Sequence, residues 1–259
     1  MINTIMKDTL KLIFEKWVIL IKVLFPYMVI LMVTDAFMQE STARVILGKT
    51  QEGDIYTVAV GVLMSALMSL LIAVKTHRIL LLPSFEISAL EFLCFGYKEV
   101  RFLWISLILS VMTFVIPVML YFIFKLLGII PMMGVFVGIS VSSFIVARLS
   151  MVLPSCAIGQ HMSFKDSWHL TQKYKWLSYF IIILYPILIS VVLSLVYGFV
   201  INFLAALFSL DLAVMMVVLN VCITVLIISA ISAMYRYISC SCDEFKYEVV
   251  CVDDDKIKE

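Results

Sequence analysis

Charge is what this sequence has least of. Only 14% of its 259 residues are charged and 64% are hydrophobic, whereas a soluble domain carries about 25% charged and about 45–50% apolar residues. A chain so poor in charge cannot cover itself with polar surface, which excludes water as its solvent and leaves lipid. Histidine is nearly as scarce. His77, His161 and His169 never stand at HExxH spacing, and a catalytic zinc site needs three protein ligands and an open position. No phosphate-cradling GxxxxGK loop, dinucleotide-binding glycine pattern or GxSxG nucleophile elbow occurs; Gly134-Val-Phe-Val-Gly138 lies inside an apolar run. We therefore expect no cofactor and no enzyme. A net charge of +1 removes any global bias toward nucleic acid.

The apolar residues are grouped. Residues 55–74, 102–124, 126–147 and 212–235 are each free of charge and are near or above the roughly 20 residues that cross the hydrocarbon core as a helix. The run 177–210 is about 51 Å long at about 1.5 Å per residue, too long for one upright span, so it must project or bend. The first span is interrupted: Trp17 to Met38 suffices only if Lys22 snorkels to the interface.

Basic residues decide for that span. Only three of the nineteen lysines and arginines, Arg44, Lys49 and Lys125, fall on one side of a six-span arrangement. The other sixteen share the opposite side, a strong positive-inside pattern that puts both termini in the cytoplasm. Met1–Trp17 lacks an apolar core followed by a small-residue cleavage site, so no cleaved signal peptide is expected. The six cysteines, Cys94, Cys156, Cys222, Cys240, Cys242 and Cys251, fall in spans or on the basic side. Thiols stay reduced there, and no disulfide is expected. Cys240-Ser-Cys242 reads as a reduced tail rather than a metal site.

Amphipathic segments precede the spans. In Asn3–Trp17, residues Ile5, Met6, Leu10, Ile13, Phe14 and Trp17 share a helical face opposite Lys7, Asp8, Lys11 and Glu15. Ser163–Trp176 splits in the same way, and Ser163…Asp166 and Ser88…Glu91 resemble capping boxes. Such helices lie in the membrane interface. The expectation is thus an all-α membrane protein of six transmembrane helices, arranged as three hairpins, each preceded by a cytoplasmic juxtamembrane amphipathic helix. One domain covers 1–242, with repeats over 3–75, 88–150 and 163–238, and an acidic tail covers 243–259.

Small residues recur at steps of four: Gly61, Ser65 and Ser69 in span two; Gly134, Gly138 and Ser142 in span four; Ser190, Ser194 and Gly198 in span five. Such a stripe lets helix backbones approach in lipid; the functional alternative is a substrate path lined by small polar groups. Arg78, Arg148, Lys173, Lys175 and Arg236 stand where their side chains could reach anionic lipid headgroups. Asn202 and Asn220 are the most deeply placed large polar groups and are expected to bond between helices.

The stretch Arg148-Leu-Ser-Met-Val-Leu-Pro154-Ser155, followed by Ser167-Trp168-His-Leu-Thr171, resembles the YciC-like bacterial six-span inner-membrane proteins. It is similar also to the membrane domain fused to some glycerophosphodiester phosphodiesterases. The shared pattern is an arginine, a proline closing an even span, then a Ser-Trp-x-x-Thr helix. The resemblance implies a multi-pass location in the bacterial inner membrane and carries over no catalytic residue. On these grounds the leading expectation is a non-enzymatic scaffold organising lipid or partner proteins. A transporter or channel for a small or apolar substrate is the alternative. The expected partners are the bilayer, anionic headgroups, and a membrane protein or second copy of the chain, but no nucleic acid.

Overall fold

The computed structural model describes residues 2–82, 96–208 and 213–241. Every regular element among them is helical, as lipid demands when each backbone N–H must find its partner within its own segment. Six helices are long and apolar enough to cross a bilayer. The chain is a multi-pass α-helical membrane protein.

Helix α1 (Ile2–Glu15) leads into a hairpin of α2 (Trp17–Ile46) and α3 (Asp54–Leu81). An ion pair closes its turn. Arg44 Nη2 lies 2.6 Å from Asp54 Oδ1 and Nε 3.0 Å from Oδ2, which also accepts the Gln51 N–H. Gly48 (φ 67°) and Gly53 (φ 98°) supply the left-handed backbone that this turn needs. The second hairpin joins α4 (Tyr97–Leu126) to α5 (Pro131–Leu149), with Pro131 in the first turn, where a missing N–H costs nothing.

Two short helices, α6 (Val152–Ala157) and α7 (Phe164–Leu170), lead to the third hairpin. Its first arm begins as α8 (Lys175–Tyr179), widens into a π-turn over Phe180–Leu184, and continues as α9 (Tyr185–Phe208). The π-turn stands immediately before Pro186. There the Tyr185 N–H reaches back to the Phe180 carbonyl, and the wide turn makes room for a ring that an ordinary α-turn would clash with. The second arm is α10 (Met216–Ser241).

Burial is concentrated at one end. On α2 the buried residues are Leu20, Leu24, Tyr27 and Leu31, with Ser41 beyond them; on α3 most follow Leu71; on α4 they stop at Leu109. These halves carry the basic residues, and α6, α7 and the π-turn join the same core. Helix α10 runs through its centre, with Ala230, Met234, Tyr235 and Ile238 almost fully enclosed. Away from that end the spans expose Phe114, Phe122, Phe136, Leu195 and Phe199, the surface that lipid covers.

The juxtamembrane segments differ from one another. Helix α1 turns Ile5, Thr9 and Leu12 inward, and Ser229 on α10 donates to the Thr9 carbonyl at 2.8 Å. Leu10, Phe14 and Trp17 remain exposed, so its apolar residues serve two surfaces. The second segment lies mostly outside the described residues, along with Ser88…Glu91 and the tail 243–259; its described end, from Tyr97, is already α4. The third stops at Leu170, shorter than expected, with the Ser163–Asp166 capping box at its start. Cys240 is disulfide-bonded, against expectation. Cys156 and Cys222 are free thiols. Compartment bears on whether a disulfide persists, not on which thiols a fold brings together.

Candidate functional site

Where α2, α3 and α10 separate, they leave a cavity of about 230 Å³. Its polar lining comes from all three helices: Asp35, Ser65 and Ser69, and Asn220 with Thr224. The serines straddle the midpoint of α3, so the cavity reaches the depth of the bilayer centre. Leu31, Ile72, Val217 and Val221 supply the apolar part. The stripe in span two therefore divides. Gly61 packs beneath the Met38 side chain, while Ser65 and Ser69 face the cavity.

The cavity has a floor. Towards the basic end Ile72, Val74, Tyr27 and Met234 are buried, and beneath them lies a layer of buried polar groups. His77 Nδ1 is 2.8 Å from Ser232 Oγ, and that hydroxyl donates to the Ile228 carbonyl. The proton between them therefore belongs to Nδ1. Glu99 Oε1 stands 3.9 Å from Lys75 Nζ and 3.8 Å from Arg78 Nη1, and Glu99 Oε2 accepts the Gly96 N–H. Buried charges persist only when paired in this way. Tyr235 donates to Gln160 Oε1 at 2.8 Å, tying α10 to the segment after α6. Periodicity along the chain cannot locate this pairing of Lys75 with Glu99, because the two stand on different hairpins.

Lys16 closes the end of α3. Its ammonium donates to the carbonyls of Ile79 (2.6 Å) and Leu82 (2.9 Å), two of the orphan acceptors of a helix C-terminus. Burial, helped by Arg236 nearby, pulls its pKa below the usual lysine range.

Arg148 does not reach for headgroups. It is 5% exposed and its guanidinium carbon lies 3.5 Å from the Trp168 ring centroid. Its Nη2 donates to the Trp168 carbonyl (2.7 Å) and its Nε to Thr171 Oγ1 (3.2 Å), while Ser167 Oγ donates back to the Arg148 carbonyl (2.7 Å). Thus Ser167, Trp168 and Thr171 all bind one arginine and fasten α7 to the end of α5. Arg78 turns inward to Glu99 and Arg236 is half-buried. The correction for Arg78 and Arg148 has one cause: each finds partners on a packed neighbour that one-dimensional periodicity cannot locate.

Lys173 and Lys175 are exposed. They flank an open cleft of about 580 Å³ lined also by Trp176, Tyr179, Phe180 and Leu184. In span four a Cβ on Gly134 would stand 2.5 Å from the Leu120 carbonyl oxygen, and one on Gly138 would collide with Pro117 Cα. Ser142 is fully buried. In span five Ser190 bonds its own helix at Ile187, Ser194 is exposed, and only Met216 comes near Gly198. Asn202 donates to the Gly198 carbonyl on its own helix rather than across helices. Among the described residues, no three His, Cys, Asp or Glu side chains are grouped closely enough to hold a metal ion.

No protein-family profile, curated protein or solved structure matches this chain.

Proposed function

We propose that this protein is a non-enzymatic module of the bacterial inner membrane that organises lipid at its basic, cytoplasmic face. The observation that supports this reading is the cleft beside α8. Two lysines stand at its rim, and tryptophan, tyrosine and leucine form its wall. That is the chemistry of an anionic headgroup above its first acyl carbons. The packed core at the basic end supports it, because Leu177, Ile181 and Ile182 beside the cleft are buried in that core. The YciC-like pattern of Arg148, Ser167, Trp168 and Thr171 is part of the proposal, as is the cytoplasmic placement of both termini.

A carrier is the second reading, favoured by the polar cavity among α2, α3 and α10. Against it stands the closed floor, since alternating access would require Ile72, Val74 and Met234 to part. The test is extraction into native nanodiscs followed by lipid mass spectrometry. Enrichment of anionic lipid over the bulk membrane, lost in a Lys173→Gln, Lys175→Gln double variant, is the expected result. A lipid content equal to that of the bulk membrane in both proteins would dispose of the lipid-organising reading.

A further inference from the structure

The cavity among α2, α3 and α10 gathers polar groups from three helices that open to it rather than pack into the core. Elsewhere in the spans, hydroxyls back-bond to the carbonyl one turn earlier, as Thr34, Thr113, Ser140 and Ser232 do. Thr224 does so within the cavity itself, donating to the Asn220 carbonyl. Ser65 and Ser69 instead line the cavity, with Asp35 and Asn220; of these Ser65 is partly buried and the other three are exposed. At hydrocarbon depth an unsatisfied polar group costs several kcal/mol and an unpaired carboxylate more. The cavity therefore admits water or a polar solute to these groups.

Three features narrow what that is. First, the sole formal charge lining the cavity is negative, and the nearest cation along α3, Lys75, already stands beside Glu99. A solute that uses this charge is a cation. Second, acceptors are available from three helices: one carboxylate, one carboxamide oxygen and three hydroxyls. That suits a group with several N–H donors pointing in different directions. Third, the volume of about 230 Å³ is room for several waters at about 30 Å³ each. It is too wide to strip and cage a bare metal ion. The apolar wall of Leu31, Ile72 and Val217 suits a carbon chain.

We infer that the cavity binds a primary ammonium group, with Asp35 as counter-ion, Asn220, Ser65 and Ser69 as acceptors, and the apolar wall holding the attached carbons. The same chemistry is carried by a free small amine and by an aminophospholipid headgroup. The site is independent of the cleft at Lys173 and Lys175, and either can exist without the other.

The experiment uses the full chain in nanodiscs of phosphatidylcholine with or without phosphatidylethanolamine, followed by native mass spectrometry. A second arm adds butylamine or tetramethylammonium and reads the unfolding temperature. Retention of phosphatidylethanolamine over phosphatidylcholine assigns the lipid headgroup. Stabilisation by butylamine in phosphatidylcholine alone assigns a free amine. Either supports the inference, provided that Asp35→Asn lowers the preference at least tenfold and Asp35→Glu restores part of it. If Asp35→Asn does not fold, the Ser65→Val, Ser69→Val double variant replaces it, with the same loss expected. Equal responses to tetramethylammonium and butylamine, a response to sodium alone, no response to any probe, or undiminished binding in the variants overturns the inference.

Discussion

The guanidinium carbon of Arg148 lies over the indole of Trp168, 3.5 Å from its centroid, and the same guanidinium donates to the Trp168 carbonyl and the Thr171 hydroxyl. One side chain thereby satisfies three chemistries at once: a cation over an aromatic face, a helix-end acceptor and a buried hydroxyl. Arginine is suited to this because its planar fork can stack and donate together, which a lysine ammonium cannot. The joint holds α7 on the end of α5, beside Lys173 and Lys175.

Replacing Arg148 by lysine should therefore loosen α7 although the charge is kept. The expected loss is on the order of 2 kcal/mol, from the stacking and the guanidinium hydrogen bonds to Thr171 and the Trp168 carbonyl. Thermal unfolding in detergent and protease cleavage between Gly159 and Ser163 would both report it. Lys165→Gln, on the exposed side of α7, should change neither. Equal behaviour of the two variants would show that the arginine does not fasten this helix.

Gly138 stands against the backbone of Pro117, which cannot move aside as a flexible side chain would. Gly138→Leu should overpack the α4–α5 contact and cost about 1–3 kcal/mol. Ile139→Leu, at an exposed neighbour, should leave the detergent melting temperature within error of the parent.

Orientation can be read directly. Reporter fusions near Gly48 and Ser209 should report the outer side, and fusions near Gln160 and Lys258 the cytoplasm, given the excess of basic residues on the latter side. An outward-facing Gln160 would end the six-span arrangement.

Acid should weaken the start of α7. The Ser163 hydroxyl and backbone N–H hold the Asp166 carboxyl below the usual carboxylate range. Because its folded pKa is the lower one, its contribution is complete above the ordinary value of about 3.9 and is lost as pH falls through the folded value. Trp168 emission, recorded with Trp17, Trp104 and Trp176 changed to phenylalanine, should show the loss on acidification. In Asp166→Asn that part of the titration should be flat.

Much of the architecture was legible because lipid is an undemanding solvent to read. Uncharged runs of sufficient length mark the spans, and the six predicted from charge are the six helices of the structure. The Ser163 capping box was legible for the same local reason, since both partners lie within one turn. From its length the fifth span was expected to project or bend, and the structure places a π-turn in it just before Pro186. What stayed hidden involves pairs far apart in the chain: Lys75 with Glu99, His77 with Ser232, Thr9 with Ser229. Periodicity shows that a residue faces inward, not what it faces.

The candidate site divides along the same line. The serines of span two and Asn220 were visible in the sequence, as a packing stripe and as a group expected to bond between helices; Asp35 was not singled out as a site residue. Composition and spacing alone determined that this protein crosses the membrane repeatedly, because hydrophobic length and charge act locally, segment by segment. Only the tertiary structure decided that Arg148 turns inward to Trp168, and that Asp35, Ser65, Ser69 and Asn220 share one cavity. Those outcomes depend on how α2, α3 and α10, and α5 and α7, pack against one another. In lipid that packing is set by close complementarity between particular side chains, not by how apolar each helix is.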